Sequence, residues 1–180
     1  HQPLLPFERH PWTDPVSVDV RTVWQPTSVR LVYRVRGADP RLRETLIRSR
    51  SGVRRDELWR STCFEAFFGI AGSAAYFEMN VAPSGDWAWY AFDDYRAGMR
   101  SPPLSPGEPP RVLRIETDEA SFEIDVELPR AAFREQKIES CSVTAILDRG
   151  DDPSYWALVH AGPRPDFHLR ESFLREDSAG

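Results

Sequence analysis

The hydrophobic and polar positions of this chain alternate far more often than they repeat at helical spacing. Val16, Val18 and Val20 alternate with polar residues up to Trp24, and Pro26 breaks the run. Val29, Leu31, Tyr33 and Val35 then alternate with Arg30, Val32, Arg34 and Arg36 as far as Gly37. A period of two is the mark of a half-buried strand, so these two runs predict an antiparallel hairpin with one face on a core. The cleanest alternation lies at Phe122, Ile124, Val126 and Leu128, interleaved with Glu123, Asp125 and Glu127. Further strands are expected over 112–117, 141–147 and 154–160. Asp39-Pro40 places an N-cap before a proline at the first helical position, which predicts at most two helical turns through Leu42 and Leu46. Pro129 begins a second short turn through Phe133. Residues 1–15 carry four prolines and no period, and residues 100–111 carry five prolines; both read as irregular. In the tail, Phe167, Phe173 and Leu174 are expected to dock before the end frays. About nine strands with turns at short intervals predict an all-β fold. Its expected form is a two-sheet antiparallel β-sandwich (jelly-roll or immunoglobulin-like) with one or two short helical turns, in a single domain spanning 1–180.

The most informative stretch is 56–99, read as a loop and three strands. Strand parity puts Phe64, Ala66 and Phe68 on one face and Cys63, Glu65 and Phe67 on the other. The next strand has Phe77, Met79 and Val81 on one face and Tyr76, Glu78 and Asn80 on the other. Burying the apolar sets leaves Glu65, Tyr76, Glu78 and Asn80 side by side on the second face. In the third strand either Ala88, Tyr90 and Phe92 or Trp87, Trp89 and Ala91 could face the core; the expectation adopted places Trp87 and Trp89 with the carboxylates. Aromatic rings beside carboxylate and amide groups suit a sugar, because rings stack on apolar C–H faces and acidic oxygens accept hydroxyl donors. The alternative is a sheet face capped by loops, with Glu65 and Glu78 paired to arginines such as Arg60. Trp59, in the loop before the strand, is either a stacking platform or a loop anchor.

Composition narrows the classes. The chain has 180 residues, 41% hydrophobic and 28% charged, with a formal net charge of -5, which leaves no basic footprint for nucleic acid. All basic residues but Lys137 are arginine, read as compositional bias. No run of 18 apolar residues suggests a membrane helix. Cys63 and Cys141 fall inside apolar strand patterns and read as two buried thiols rather than a disulfide framework. Isolated cysteines and the absence of a visible leader lean towards the cytoplasm, although the chain starts at His1 and a leader would not be visible in it. The motifs of nucleotide loops, serine hydrolases and zinc proteases are missing. Glu65 and Glu78 could form a glycosidase pair if adjacent strands bring them close, but the expectation is a non-catalytic domain.

The runs LWRSTCFEAFFG, YFEMNVAPSGDWAWYAFDDYRAGM and YWALVHAGPRPDFHLRESF resemble the DOMON-like proteins of the family 9 carbohydrate-binding-module superfamily. The resemblance implies a β-sandwich that binds a sugar or haem at a concave face. In the sugar-binding modules a tryptophan before the strand stacks on the sugar, and an acidic residue six positions later accepts its hydroxyls; Trp59 and Glu65 have that spacing. A second, late tryptophan completes the clamp, a role that falls to Trp156. Haem-binding members use methionine and histidine, here Met79, Met99, His160 and His168. Some relatives hold calcium, for which Asp148, Asp151 and Asp152 are candidates. The leading expectation is carbohydrate binding without a cofactor; haem binding or a protein-interaction module is the alternative.

Overall fold

The structure is a computed structural model that describes residues 1–175. Among the described residues there are eleven strands: β1 (Gln2–Pro6), β2 (Ser17–Trp24), β3 (Ser28–Arg36), β4 (Cys63–Ile70), β5 (Tyr76–Val81), β6 (Trp87–Phe92), β7 (Arg111–Thr117), β8 (Ser121–Pro129), β9 (Ile138–Asp148), β10 (Pro153–Ala157) and β11 (Leu174–Arg175). All pair antiparallel, in the order β6-β5-β4-β9-β10-β1-β2-β3-β8-β7, with β11 beside β9. The one α-helix among the described residues, α1 (Pro40–Leu46), starts as the sequence implies: the Asp39 carboxylate accepts the Leu42 N–H at 2.9 Å and Pro40 occupies the first turn.

The expected pair of separate sheets is one continuous sheet curled into a half-barrel, and β1 is the reason. Gln2, Pro3 and Leu4 pair with β2, whereas Leu5 and Pro6 pair with β10. Each residue of β1 bonds one neighbour only, so Pro3 and Pro6 cost the ladder little. A strand that changes partner midway turns the corner between the two halves. Periodicity missed β1 because prolines mask a five-residue strand.

The inner faces of the two halves meet in one core. Phe64 of β4 stacks on Phe122 of β8, with centroids 5.6 Å apart, and packs against Tyr33 of β3 at 5.1 Å. The Tyr33 hydroxyl crosses this core and donates to the Glu65 carbonyl at 2.6 Å. Cys63 faces away from this core and Cys141 packs against it, so the two thiols lie on opposite faces and do not bridge.

The outer faces of the two halves differ sharply. On β3, β7 and β8 the alternate positions are charged and paired: Arg30 with Asp125, Arg34 and Arg114 with Glu123, and Arg111 with Glu127. On β4, β5, β6 and β9 the outer face carries a second apolar cluster, Phe67, Tyr76, Tyr90, Phe92 and Ile146. The tail returns across it, with Phe167 and Phe173 buried there, while Leu174 is 40% exposed rather than docked. The expected fraying of the chain end lies outside the described residues.

Candidate functional site

The second cluster surrounds a cavity of about 400 Å³. Its floor is the outer face of β4 and β5, where Glu65 and Glu78 stand on adjacent strands. Glu65 is opposite Asn80 on β5 and opposite Thr144 on β9. Glu78, two residues before Asn80, is therefore its diagonal neighbour on the same face. Phe92, Ile146, Tyr155 and Phe167 supply apolar wall, Trp59 and Met99 the rim, and Arg96 and His168 the polar side.

Both carboxyls are almost wholly enclosed, at 2% and 3% exposure. Thr144 donates to Glu65 Oε2 at 3.2 Å, and the Asn80 amide donates to Glu78 Oε1 at 2.7 Å. Burial pushes Glu65 well up from the ordinary carboxylate value, and the neighbouring Glu78 adds to the effect. Burial likewise pushes Glu78 up to about 7, against the opposing help of Asn80 and Arg96. Asn80 itself is fully buried, and its side-chain oxygen has no partner among the described residues.

A directed chain of hydrogen bonds holds the polar wall. The Arg96 backbone N–H donates to the Tyr76 hydroxyl at 3.3 Å, which bonds His168 Nδ1 at 2.7 Å. The Tyr76 hydroxyl accepts from Arg96 and still has a proton and a lone pair to share with Nδ1; when it donates to Nδ1, Nε2 carries the imidazole hydrogen. Burial first, then the Arg96 charge, lowers His168 to about 4, so the ring is neutral at pH 7. Its Nε2 lies 4.0 Å from Glu78 Oε2, beyond direct hydrogen bonding. The Arg96 guanidinium is already committed to Asp166 at 2.9 Å. Arg96 also adopts φ 50°, a left-handed conformation that a non-glycine residue holds at a cost.

Parity correctly brought Glu65, Tyr76, Glu78 and Asn80 to one face and Met79 to the other. It did not decide β6. Trp89 is fully buried on the core side, stacked on Phe77 at 5.2 Å, and Trp87 packs against the same core beneath Arg54. Tyr90 and Phe92 take the cavity face instead. Trp156 is also corrected: it pairs with Ala145 and is buried in the core, so no late tryptophan clamps the cavity. In each case the alternate residues of the same strand, Tyr90 and Phe92 on β6 and Tyr155 on β10, take the outer face and the indoles take the core side. Trp59 remains, 5.7 Å from the Tyr90 ring and on the rim. The other five tryptophans, Trp12, Trp24, Trp87, Trp89 and Trp156, all belong to or pack against the inner core. Arg60 bonds Glu57 rather than the buried pair. The 48–56 loop does not cover the cavity; it runs beside β6, where Val53 and Arg55 bond the Trp87 backbone.

Residues that pattern could not connect to the site are Arg96, Tyr155, Phe167 and Thr144, contributed by four separate segments. His168 was singled out only as a haem candidate; His160 is elsewhere, bonded to the Leu5 carbonyl. The Asp148–Asp152 segment is a hairpin turn in which Asp148 accepts the Asp152 N–H and Asp152 pairs with Arg149. Among the described residues no three His, Cys, Asp or Glu side chains are grouped to hold a metal ion. No described helix is long and apolar enough to cross a membrane.

No protein-family model matches the chain, and no curated protein matches it in sequence. Among solved structures it is similar to a protein from Bacteroides uniformis whose description as carbohydrate-binding is itself provisional. The identity is 18%, the TM-score 0.65, and the match covers 96% of this chain and 84% of the other. At that identity the comparison shows a shared fold.

Proposed function

We propose that this protein is a non-catalytic carbohydrate-binding domain of the DOMON-like, family 9 module type. The observation that carries this reading is the convergence of Trp59 and Glu65, six residues apart in sequence, on one walled cavity that also receives Glu78. A pyranose ring would lie against Trp59 and the apolar wall, with its hydroxyls reaching the carboxyl floor and His168 Nε2. The fold shared with the Bacteroides uniformis protein supports the same class.

The arrangement speaks for binding rather than hydrolysis. Glycosidase carboxyls flank the scissile bond. Here both rise from adjacent strands of a single floor, so both would meet the same side of a ligand. A haem fits less well. Met99 and His168 line the same cavity, but its floor is acidic and its one arginine is paired, which disfavours an anionic macrocycle.

Tryptophan fluorescence tests the proposal. Trp59 is the one indole at the cavity, so a bound glycan should quench its emission, and Trp59→Ala should abolish both quench and binding. A glycan panel with no binder would overturn the carbohydrate reading.

A further inference from the structure

Arginines of this chain neutralise three of its buried acids. Asp125 is met by Arg30, Glu123 by Arg34 and Arg114, and Asp86 by Arg55 at 3.5 Å. Asp148 instead accepts the Asp152 N–H in its own turn, and Glu65 and Glu78 are the two buried acids at the cavity that no described arginine pairs with. Each spends one oxygen on a neutral donor, Thr144 or Asn80, and among the described residues Glu65 Oε1 and Glu78 Oε2 have no hydrogen-bond partner. Both residues line the cavity, so these oxygens are what it offers a ligand.

The surrounding charges compensate them only in part, through the Arg96 charge. Facing the pair are Cys63 from β4, Tyr76 from β5, Tyr90 from β6, Arg96 from the loop after β6, and Asp166 and His168 from the tail. Arg96 and Asp166 form an ion pair with each other, and His168 presents a neutral ring. The rings at Trp59, Phe92, Tyr155 and Phe167 add electron-rich surface without charge. Two enclosed acids, an acceptor-dominated floor and an aromatic wall are the features that hold an ammonium group.

We infer that the ligand of this cavity is an amino sugar, whose protonated amine sits over Glu65 and Glu78 while its ring lies against Trp59. This rests on the carbohydrate reading and adds the cationic substituent to it. A neutral sugar would leave the floor either charged and unpaired or protonated, whereas an ammonium supplies the missing charge and up to three donors.

Calorimetry on the full chain at pH 7 tests this, with glucosamine oligosaccharides, their N-acetylated counterparts and glucose oligosaccharides of equal length. The expected result is a preference of about tenfold or more for the free amine, the range that a charge-assisted contact supplies. Proton release on binding, read from the dependence of enthalpy on buffer, should accompany it. In Glu78→Gln, checked for folding by thermal unfolding, the ratio of affinities should collapse towards about one. Equal affinity for aminated and neutral oligosaccharides would overturn the amino-sugar assignment and leave carbohydrate binding standing. No binding of any sugar would remove both. Ethanolamine bound as tightly as glucosamine would overturn the sugar itself as the recognised group.

Discussion

Glu65 and Glu78 are diagonal neighbours on β4 and β5, each almost wholly buried, and no arginine neutralises either directly. Such a pair is costly to fold, because two carboxylates leave water for a site that returns only one neutral hydrogen bond to each. The cost is retained at the floor of a cavity, which is where a ligand could offset it.

That cost should be visible as stability. Glu78 titrates near 7 in the folded chain against an ordinary 4.5, so the folded state binds its proton more tightly. Its contribution is fully present below 4.5 and is lost as pH rises through 7, a swing of about 3 kcal/mol. Glu78→Gln should therefore raise stability at pH 8 by about 1–3 kcal/mol and change it little at pH 4.5. Urea unfolding at the two pH values checks this; equal effects at both would contradict it.

His168 acts in the opposite sense. Its folded value near 4 lies below the ordinary 6.5, so its contribution is present above 6.5 and is lost as pH falls through 4. Between about pH 4.5 and 6.5 the two groups offset each other, by the same linkage relation. Replacing His168 with Asn should unmask the Glu78 effect, and stability should climb on acidification from pH 7 to 5 more steeply than in the wild type. Melting temperature against pH measures the difference in slope.

The six tryptophans should separate into two classes by alanine substitution. Trp89→Ala opens a cavity among Phe68, Phe77 and Phe133 and should cost about 3–5 kcal/mol. Trp59→Ala should cost less, since the ring is partly exposed, yet it should remove ligand quenching. A Trp59 variant that binds glycans normally would show that the ring is only a loop anchor.

Gly69 fixes the tail that walls the cavity. A Cβ there would meet the Arg170 guanidinium at 2.1–2.3 Å. Arg170 bonds the Ile70 carbonyl and Glu139 at 3.2 Å and lies over the Phe173 ring. Gly69→Ala should displace this latch, speed hydrogen exchange in 165–173 and weaken ligand binding from outside the cavity. Unchanged exchange would show that Arg170 does not hold the tail.

Cys63 is fully buried, and its thiol is pushed well up by burial and then by Glu65 and Glu78. It should resist alkylation in the native protein at pH 8 and react only on unfolding, as mass spectrometry can follow.

Alternation along the chain was enough to determine the β class, α1 with its Asp39 cap, and the shared face of Glu65, Tyr76, Glu78 and Asn80. These are local properties: side-chain direction in a strand has a period of two, and a cap needs only its own turn. Three things were decided by tertiary structure alone. The two halves became one sheet because β1 switches partners, a fact about pairing that proline-rich sequence conceals. The side taken by Trp87, Trp89 and Trp156 was decided by packing, because both faces of β6 and β10 carry apolar side chains and alternation gives each an equal claim on the core. Finally, the cavity exists because Arg96, Tyr155, Phe167 and His168 arrive from distant segments over a floor the sequence had already marked. Parity could say which side Glu65 and Glu78 share, but only the packed chain shows that the arginine beside them, Arg96, is paired with Asp166 instead.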